Sequence, residues 1–243
     1  TKGIVLINPN NPTGAVYTKD ILQSIIKLAQ ENRLIIFSDE IYDKILYDGN
    51  VHHPIAAMAD DVLIFTYGGL CKNYRAAGFR GGWMVLSGPV HKAKSLAEGL
   101  NLLASMRLCA NVPTQYAIQT ALGGYQSIND LVAKDGRLTK QRDLIHYMLT
   151  DIPGVTCVKP KGALYLFPKI DLTKFDFADD NEFAYRLLED KHVLIVPGSG
   201  FNHSDKAHFR VVFLPQIEEL NHAAKLIQGF LHHCMHANNY VTA

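Results

Sequence analysis

The chain has 243 residues, enough for one large or two small hydrophobic cores, and 48% of them are hydrophobic, which excludes a disordered protein. The formal net charge is +1 and Lys and Arg form no cluster, so the sequence gives no electrostatic case for nucleic-acid binding. No apolar run approaches the length that spans a bilayer, which argues against a membrane protein.

The first residues predict a buried strand that ends in a turn. Residues 4–7 form a short continuous apolar run, as expected for a strand that is buried on both faces of a parallel sheet. The turn formers Asn8-Pro9-Asn10-Asn11-Pro12-Thr13-Gly14 follow. Because open α/β sheets bind ligands at the carboxyl ends of their strands, Asn11 is a candidate binding residue. An ordinary loop rich in turn formers is the alternative.

A helix and a second strand come next. Thr18 can cap a helix whose apolar residues recur with the helical period. Residues 34–37 then predict another buried strand, so that strand, helix and strand make one right-handed crossover. This strand ends at Ser38-Asp39-Glu40-Ile41-Tyr42, which places Asp39 at the same edge of the sheet as Asn11. Asp39 either caps the next helix or serves as a functional carboxylate.

The third strand leads into a loop that carries a lysine. Residues 62–66 are apolar and end in a Tyr-Gly-Gly break; Lys72 and Arg80 follow in the loop. A partly desolvated lysine can lose its proton and form an imine with a carbonyl group, and an arginine beside it can hold a phosphate. Together they point to pyridoxal phosphate (PLP), with Asp39 as a candidate partner of its ring nitrogen. Either residue alone is more often a solvated surface charge.

The second half of the chain predicts short strands mixed with helices, as in a small α+β domain. We expect the boundary near residue 136. The predicted helices cover residues 113–122, 138–151, 182–190 and 217–231, and the predicted strands lie near residues 156–158, 163–167, 193–196 and 209–214.

Arg210 lies inside the last predicted strand, with apolar neighbours on both sides. A buried guanidinium needs an anionic partner, and its planar fork suits a bidentate grip on a carboxylate. Arg210 is therefore a candidate ligand of a substrate carboxylate. An edge-strand arginine that extends to solvent is the alternative.

The cysteines and the histidine-rich tail do not predict a metal site. Four cysteines are scattered without metal-ligand spacing, which favours reduced thiols in a cytoplasmic protein. In the tail 232–236 only His232 and His236 are four residues apart, so a solvated helix end is the better interpretation.

Four motifs, in this order, resemble those of the class I aminotransferases of PLP fold type I. They are the Asn-Pro-Asn-Asn-Pro-Thr-Gly turn, Ser-Asp-Glu-Ile-Tyr, the Lys72–Arg80 loop and Phe-Arg-Val around Arg210. Residues 103–127 further resemble the bacterial glutamate–pyruvate aminotransferases. The resemblance implies an α/β fold in which residues 1–135 form the C-terminal part of a PLP-binding large domain, a mostly parallel sheet flanked by helices. Residues 136–243 would form the small C-terminal α+β domain.

The resemblance also implies how the cofactor is held. Lys72 matches the lysine that binds PLP as a Schiff base and moves a proton between the substrate and the cofactor. Asp39 matches the carboxylate that keeps the ring nitrogen protonated. Asn11 and Tyr42 match the pair that hydrogen-bonds the phenolic oxygen of the cofactor. Arg80 matches the arginine that binds its phosphate.

For the substrate, the resemblance implies that Arg210, with Asn11 beside the cofactor, binds the α-carboxylate. The expected reaction is transamination between glutamate and pyruvate, giving 2-oxoglutarate and alanine, in a cytoplasmic homodimer. Two alternatives stay open: a carbon–sulfur lyase, which shares Lys72, Asp39 and Arg210, and the non-catalytic aminotransferase-like domain of a transcription regulator.

The sequence departs from the family pattern in two ways. Gly69 and Cys71 stand where many relatives carry serine near the lysine. In addition, no residue matches the phosphate-cradling turn or the aromatic ring that stacks on the cofactor. We therefore expect the chain to be the C-terminal portion of an aminotransferase that does not turn over substrate by itself.

Overall fold

The computed structural model describes the backbone of residues 1–241 and the side chains of residues 1–235. Contacts divide the chain into two compact units. The first unit consists of residues 1–10 and Ala15–Asn129. The second unit consists of Asn11–Gly14 and the chain from Asp130 onward. The turn that carries Asn11 therefore belongs, by its contacts, to the second unit.

A four-stranded sheet forms the centre of the first unit, in the order β1-β2-β3-β4. The pairs β1–β2 and β2–β3 are parallel, whereas β4 runs antiparallel to β3, so the sheet is mostly parallel as predicted. The strands are β1 (Gly3–Ile7), β2 (Ile35–Asp39), β3 (Ile64–Gly69) and β4 (Gly82–Ser87).

The helices of the first unit pack through apolar faces and have defined ends. Leu22, Ile26 and Ala29 of the first helix are buried in one hydrophobic cluster with residues of three strands. Thr18 occupies the predicted N-cap position, but its side chain makes no capping hydrogen bond. The helices are α1 (Lys19–Asn32), α2 (Lys94–Met106), α3 (Val112–Gly123) and the short α4 (Ile128–Val132), which crosses into the second unit.

Two strands differ from the sequence expectation. Strand β1, at the edge of the sheet, is not buried on both faces, since the side chain of Val5 on one face is 73% exposed. Strand β3 does not stop at the Tyr-Gly-Gly break, because Gly68 and Gly69 pair with Trp83 and Gly82 of β4. The glycines leave room for this pairing, since a Cβ on Gly68 would meet the Trp83 indole.

The second unit is α+β and contains short strands, as predicted. Strand β9 pairs antiparallel with β6 and with β8, and β5 pairs antiparallel with β7. Its helices are α5 (Arg137–Thr150), α6 (Leu172–Phe175), α7 (Asp180–Lys191) and α8 (Ile217–Val241), and its strands are β5 (Val155–Thr156), β6 (Tyr165–Leu166), β7 (Lys169–Ile170), β8 (Val196–Pro197) and β9 (Phe209–Val212).

Aromatic rings form much of the core of the second unit. Phe183 of α7 contacts the rings of Phe177, Phe209 and Phe230, with centroids 5.1 to 6.3 Å apart. These contacts tie α7, β9 and α8 together. Among the helices of residues 1–241, none combines the length and the apolar character that a membrane span requires. The side chain of His236 lies outside the described residues.

Candidate active site

Lys72 lies in the loop that follows β3, three residues beyond the end of the strand. Its side chain is half-buried, and its Nζ lies 5.7 Å from the centroid of the Tyr42 ring. Tyr42 itself is buried in the turn that follows β2. The carboxyl ends of two neighbouring parallel strands thus bring a lysine amine and a tyrosine ring together, although 30 residues separate them in the sequence.

Asp39 is the last residue of β2, and its carboxyl group is near the Lys72 amine. Its Oδ1 accepts a hydrogen bond from the backbone N–H of Ile41 at 3.1 Å. Burial raises the pKa of Asp39 above its ordinary value, and the nearby positive charge of Lys72 acts in the opposite direction. The residues after Asp39 form turns rather than a helix, so this carboxylate does not cap an α-helix.

The loop that carries Lys72 is anchored at several points. The backbone N–H of Leu70 donates to the carbonyl of Gly81, and that of Ala76 donates back to Leu70. The side chain of Asn73 is buried and donates to a carboxylate oxygen of Asp43. These bonds hold the residues on both sides of Lys72, so they restrict the movement of its backbone.

Arg80 stands apart from the other candidates of the first unit. It adopts a left-handed backbone conformation, with φ of 53°, and its side chain is exposed. Its guanidinium donates to the carbonyl oxygen of Ala77 at 2.8 Å. The contacts of the described residues do not join Arg80 to Lys72 or Asp39. Its predicted role in phosphate binding stays a prediction.

Close packing explains why position 69 is a glycine. A Cβ there would lie 3.1 Å from the carbonyl oxygen of Gly81 and 3.2 Å from the Cδ1 of Ile41. A serine at this position would require both neighbours to move. The close approach of β3 to the chain before β4 therefore favours glycine at this position.

In the second unit, Arg210 of β9 contacts Asn11. The Nη1 of Arg210 donates to the Oδ1 of Asn11 at 3.0 Å. The guanidinium also lies over two aromatic rings, 4.6 Å from the centroid of Tyr165 and 4.8 Å from that of Phe201. Its Nε is buried without a hydrogen-bond partner. No acidic side chain within residues 1–235 pairs with it, so the guanidinium has capacity left to bind an anion.

The two rings beside Arg210 are held by backbone contacts. Tyr165 belongs to β6, which pairs with β9. Phe201 ends a 3-10 turn, and the buried carboxylate of Asp180 accepts a 2.8 Å hydrogen bond from Ser199 in that turn. The sequence analysis selected Arg210 but did not identify the two rings as its partners. The aromatic residues Tyr165 and Phe201 were the available signal.

The side chains of the first unit suit PLP chemically. Lys72 offers a primary amine for covalent attachment, and Asp39 offers a desolvated carboxylate. Ile41 is the one hydrogen-bond donor to that carboxylate among the described residues, so the carboxylate can accept a further, positively charged N–H. In contrast, no group of three or more His, Cys, Asp or Glu side chains in the described part of the chain is arranged to hold a metal ion.

Comparison with known proteins agrees with this fold. The model of the family "Aminotransferase class I and II" matches residues 1–227. Over 231 residues the chain is 59% identical to the glutamate-pyruvate aminotransferase AlaA of Haemophilus influenzae and 55% identical to that of Escherichia coli K12. Each match covers 95% of this chain and 57% of the relative, so the chain spans little more than half the length of these relatives.

Solved structures show the same fold. The crystal structure of an aminotransferase from Escherichia coli matches with a TM-score of 0.93 at 55% identity, covering 95% of this chain and 57% of that one. The alanine aminotransferase of Pyrococcus furiosus matches with a TM-score of 0.90 at 40% identity, covering 96% and 58%. The predicted α/β fold of the aminotransferases is therefore confirmed, and the chain belongs to the class I and II aminotransferase family.

Proposed function

We propose that the full-length protein is a PLP-dependent aminotransferase that transfers the amino group of glutamate to pyruvate, giving 2-oxoglutarate and alanine. The observation that carries the proposal is the grouping of the Lys72 amine with the half-buried Asp39 carboxylate and the Tyr42 ring. The choice of substrates is supported by the high identity to proteins named glutamate-pyruvate and alanine aminotransferases.

Four residues would hold the cofactor besides the attachment lysine. Asp39 would bind the ring nitrogen, Tyr42 and Asn11 the phenolic oxygen, and Arg80 the phosphate. Lys72 would form the covalent link. PLP supplies an electron-accepting ring that stabilises the negative charge which develops at the substrate Cα.

Asp39 and Lys72 have distinct tasks with protons. The carboxylate of Asp39 holds a proton on the ring nitrogen, because a negative charge beside a protonated nitrogen raises the pKa of that nitrogen. The partial burial of Asp39 strengthens this effect, since less water screens the two charges than at the protein surface. The Nζ of Lys72, once neutral, takes the proton from the substrate Cα as a general base.

Arg210 is proposed to bind the α-carboxylate of the substrate. All four compounds of the proposed reaction carry a carboxylate next to the reacting carbon, so one guanidinium serves both half-reactions. Support comes from the free Nε of Arg210 and from the flanking rings, which restrict its orientation. Asn11 already accepts a hydrogen bond from Nη1, which fixes one edge of the guanidinium.

Cytoplasmic localisation and a homodimeric state are part of the same proposal. They rest on the family resemblance and on the four cysteines, which are all free thiols in the structure. Light scattering on the purified full-length protein measures its mass directly. A mass of two chains supports the proposed homodimer, and a mass of one chain contradicts it.

An assay of product formation tests the proposed reaction. The full-length protein, incubated with PLP, L-glutamate and pyruvate, is expected to form alanine and 2-oxoglutarate in equal amounts, measured by chromatography. The same preparation is incubated with L-cystathionine, from which a carbon–sulfur lyase would release pyruvate and ammonia. Lyase products without alanine would contradict the proposal, and so would the absence of any reaction.

A further inference from the structure

A buried, hydrogen-bonded pair of side chains, Glu40 and His52, lies next to Asp39 in the first unit. The Oε2 of Glu40 lies 3.0 Å from the Nε2 of His52, and the two side chains are only 9% and 7% exposed. The other oxygen of Glu40, Oε1, accepts hydrogen bonds from the Ser38 hydroxyl at 2.9 Å and from the backbone N–H of Ile55 at 3.3 Å. Three donors therefore converge on one buried carboxylate, and none of them belongs to the proposed catalytic group.

The neighbouring contacts determine where the protons lie. The backbone N–H of Tyr17 donates to Oδ1 of Asn8 at 3.0 Å, so the Nδ2 of Asn8 is the atom that faces His52. This Nδ2 lies 3.5 Å from the Nδ1 of His52 and can only donate. Nδ1 must then be the acceptor, which places the imidazole proton on Nε2, where it is donated to Glu40.

This network surrounds the backbone of Asp39. Ser38 and Glu40 are its neighbours along the chain and bond to each other through their side chains. Asn8, which bonds to His52 with its side chain, also donates its backbone N–H to the carbonyl of Asp39 at 3.0 Å. Hydrogen bonds therefore lead from Glu40 through His52 and Asn8 back to the carbonyl group of Asp39. This closed set of contacts limits the rotation of the two peptide units that flank Asp39.

We propose that Glu40 and His52 are positioning residues that hold Asp39 in the orientation needed to bind the ring nitrogen of the cofactor. This inference rests on the proposed function, because it concerns the same cofactor. Neither residue touches the cofactor in this scheme; they act through the Asp39 backbone.

The charges around the pair make it sensitive to substitution. The negative charge of Glu40 raises the pKa of both Asp39 and Asp43, after the larger effect of burial in each case. The hydrogen bond from Ile41 and the charge of Lys72 lower the pKa of Asp39, and the hydrogen bond from Asn73 and the charge of Lys44 lower that of Asp43. Removal of the Glu40 charge therefore changes the electric field at Asp39 as well as the hydrogen bonds that support it.

Two substitutions test the inference in the full-length protein. In H52Q the imidazole is lost, and in E40Q one carboxylate oxygen becomes an amide N–H group that opposes the N–H of His52. We expect both variants to bind PLP about tenfold more weakly. This factor corresponds to the free energy of one lost charge-assisted hydrogen bond. The dissociation constant is measured by titrating PLP into the cofactor-free protein.

A pH titration gives a readout that a purely structural role would not move. The absorption band of PLP bound to Lys72 is expected to change at a higher pH in both variants. A ring nitrogen that is protonated less often withdraws less electron density from the nitrogen that links Lys72 to PLP. The pKa of that linking nitrogen therefore rises. Matched controls are H53Q, whose histidine is next in sequence and makes no side-chain hydrogen bond in the described structure, and E98Q on the exposed side of α2. Both controls are expected to match the wild type.

The outcomes separate this inference from the proposed function. If the wild type shows no band with PLP, the proposed function fails and the inference fails with it. If the wild type shows the band and H52Q and E40Q change only the melting temperature, the positioning role is wrong and the proposed function stands. Should both variants fail to fold, S38A removes a single hydrogen bond from Glu40, and the inference requires a smaller shift of the band in the same direction.

Discussion

At the scale of single residues, Lys72 has two proposed roles, as the attachment point of PLP and as the general base. We predict that Lys72→Ala abolishes the absorption band of lysine-bound PLP and lowers the transamination rate by more than about 10³-fold, because the variant has neither the attachment point nor the general base. Lys92→Ala, which changes an exposed lysine, is the control and is expected to keep both. A band of wild-type intensity in Lys72→Ala would show that PLP binds elsewhere.

The raised pKa of Asp39 predicts how stability depends on pH. Because the folded protein holds this proton more tightly than the unfolded chain, ionised Asp39 destabilises the cofactor-free protein at all pH values above its folded pKa. The effect declines as the pH falls through that value and vanishes below the unfolded value of 3.8. Asp39→Asn should therefore melt at a higher temperature than the wild type at pH 7 and at the same temperature below about pH 4.

Differential scanning fluorimetry across this pH range measures both melting temperatures. Asp60→Asn, at an exposed aspartate, controls for the general loss of a negative charge. PLP is expected to raise the melting temperature of the wild type more than that of Asp39→Asn, since the variant lacks the partner of the ring nitrogen. An Asp39→Asn protein that melts below the wild type at pH 7 would contradict this explanation.

Arg210 predicts a change in substrate affinity. A lysine at this position keeps the charge but loses the planar fork and its contact with the Tyr165 and Phe201 rings. We expect Arg210→Lys to raise the KM for both glutamate and pyruvate about tenfold or more. Steady-state kinetics measures this, with the exposed Arg107→Lys as the control. Unchanged KM values would exclude Arg210 from carboxylate binding.

Some candidate residues could be predicted because they belong to local motifs. Asp39 ends a strand and Tyr42 and Lys72 follow strands, and the parallel pairing of these strands brings the three residues to one edge of the sheet. The partners of Arg210 could not be predicted in the same way, since Tyr165 and Phe201 reach it through short antiparallel pairings between distant segments. Sequence periodicity carries no information about such pairings.

At the scale of elements, the loop between Lys72 and β4 is packed against α3. A Cβ on Gly81 would lie 2.2 Å from the Cγ2 of Thr114, so Gly81→Ala is expected to destabilise the protein by about 1–3 kcal/mol. Thr114→Ser removes that methyl group and keeps the hydroxyl that donates to the Phe79 carbonyl. The double variant should recover most of the loss, and chemical denaturation measures all three proteins.

Gly78 provides the matched control for this loop. A Cβ on Gly78 would meet no atom within 4 Å, so Gly78→Ala is expected to leave stability nearly unchanged. If Gly81→Ala and Gly78→Ala behave alike, or if Thr114→Ser does not rescue Gly81→Ala, the close packing of this loop on α3 is wrong.

Elements with strong periodicity were predicted well, and half-exposed elements were not. The helix predicted after Thr18 is present as α1, which begins at Lys19, because its apolar face is regular and its residues Leu22 and Ile26 are buried. Strand β4 was missed because Gly81 and Gly82 suggest a turn and the residues that follow are partly exposed. Its pairing with β3, which the sequence does not encode locally, stabilises it.

At the scale of the whole molecule, the sequence predicted which type of unit comes first along the chain. A mostly parallel α/β unit precedes an α+β unit, because apolar strands joined by the crossover helix α1 give way to still shorter strands. The assignment of Asn11–Gly14 to the second unit was not foreseen, since it depends on backbone hydrogen bonds from Lys161 and Gly162 to Gly14. The domain boundary at residue 136 stays a prediction.

The most direct measurement is a visible absorption spectrum of the full-length protein with PLP, before and after L-glutamate and then pyruvate are added. We predict a band of lysine-bound PLP that glutamate removes, as the cofactor takes up the amino group, and that pyruvate restores. A band that responds to neither compound would contradict transamination with these substrates. The absence of any band would contradict the assignment of Lys72 and Asp39 to a PLP site.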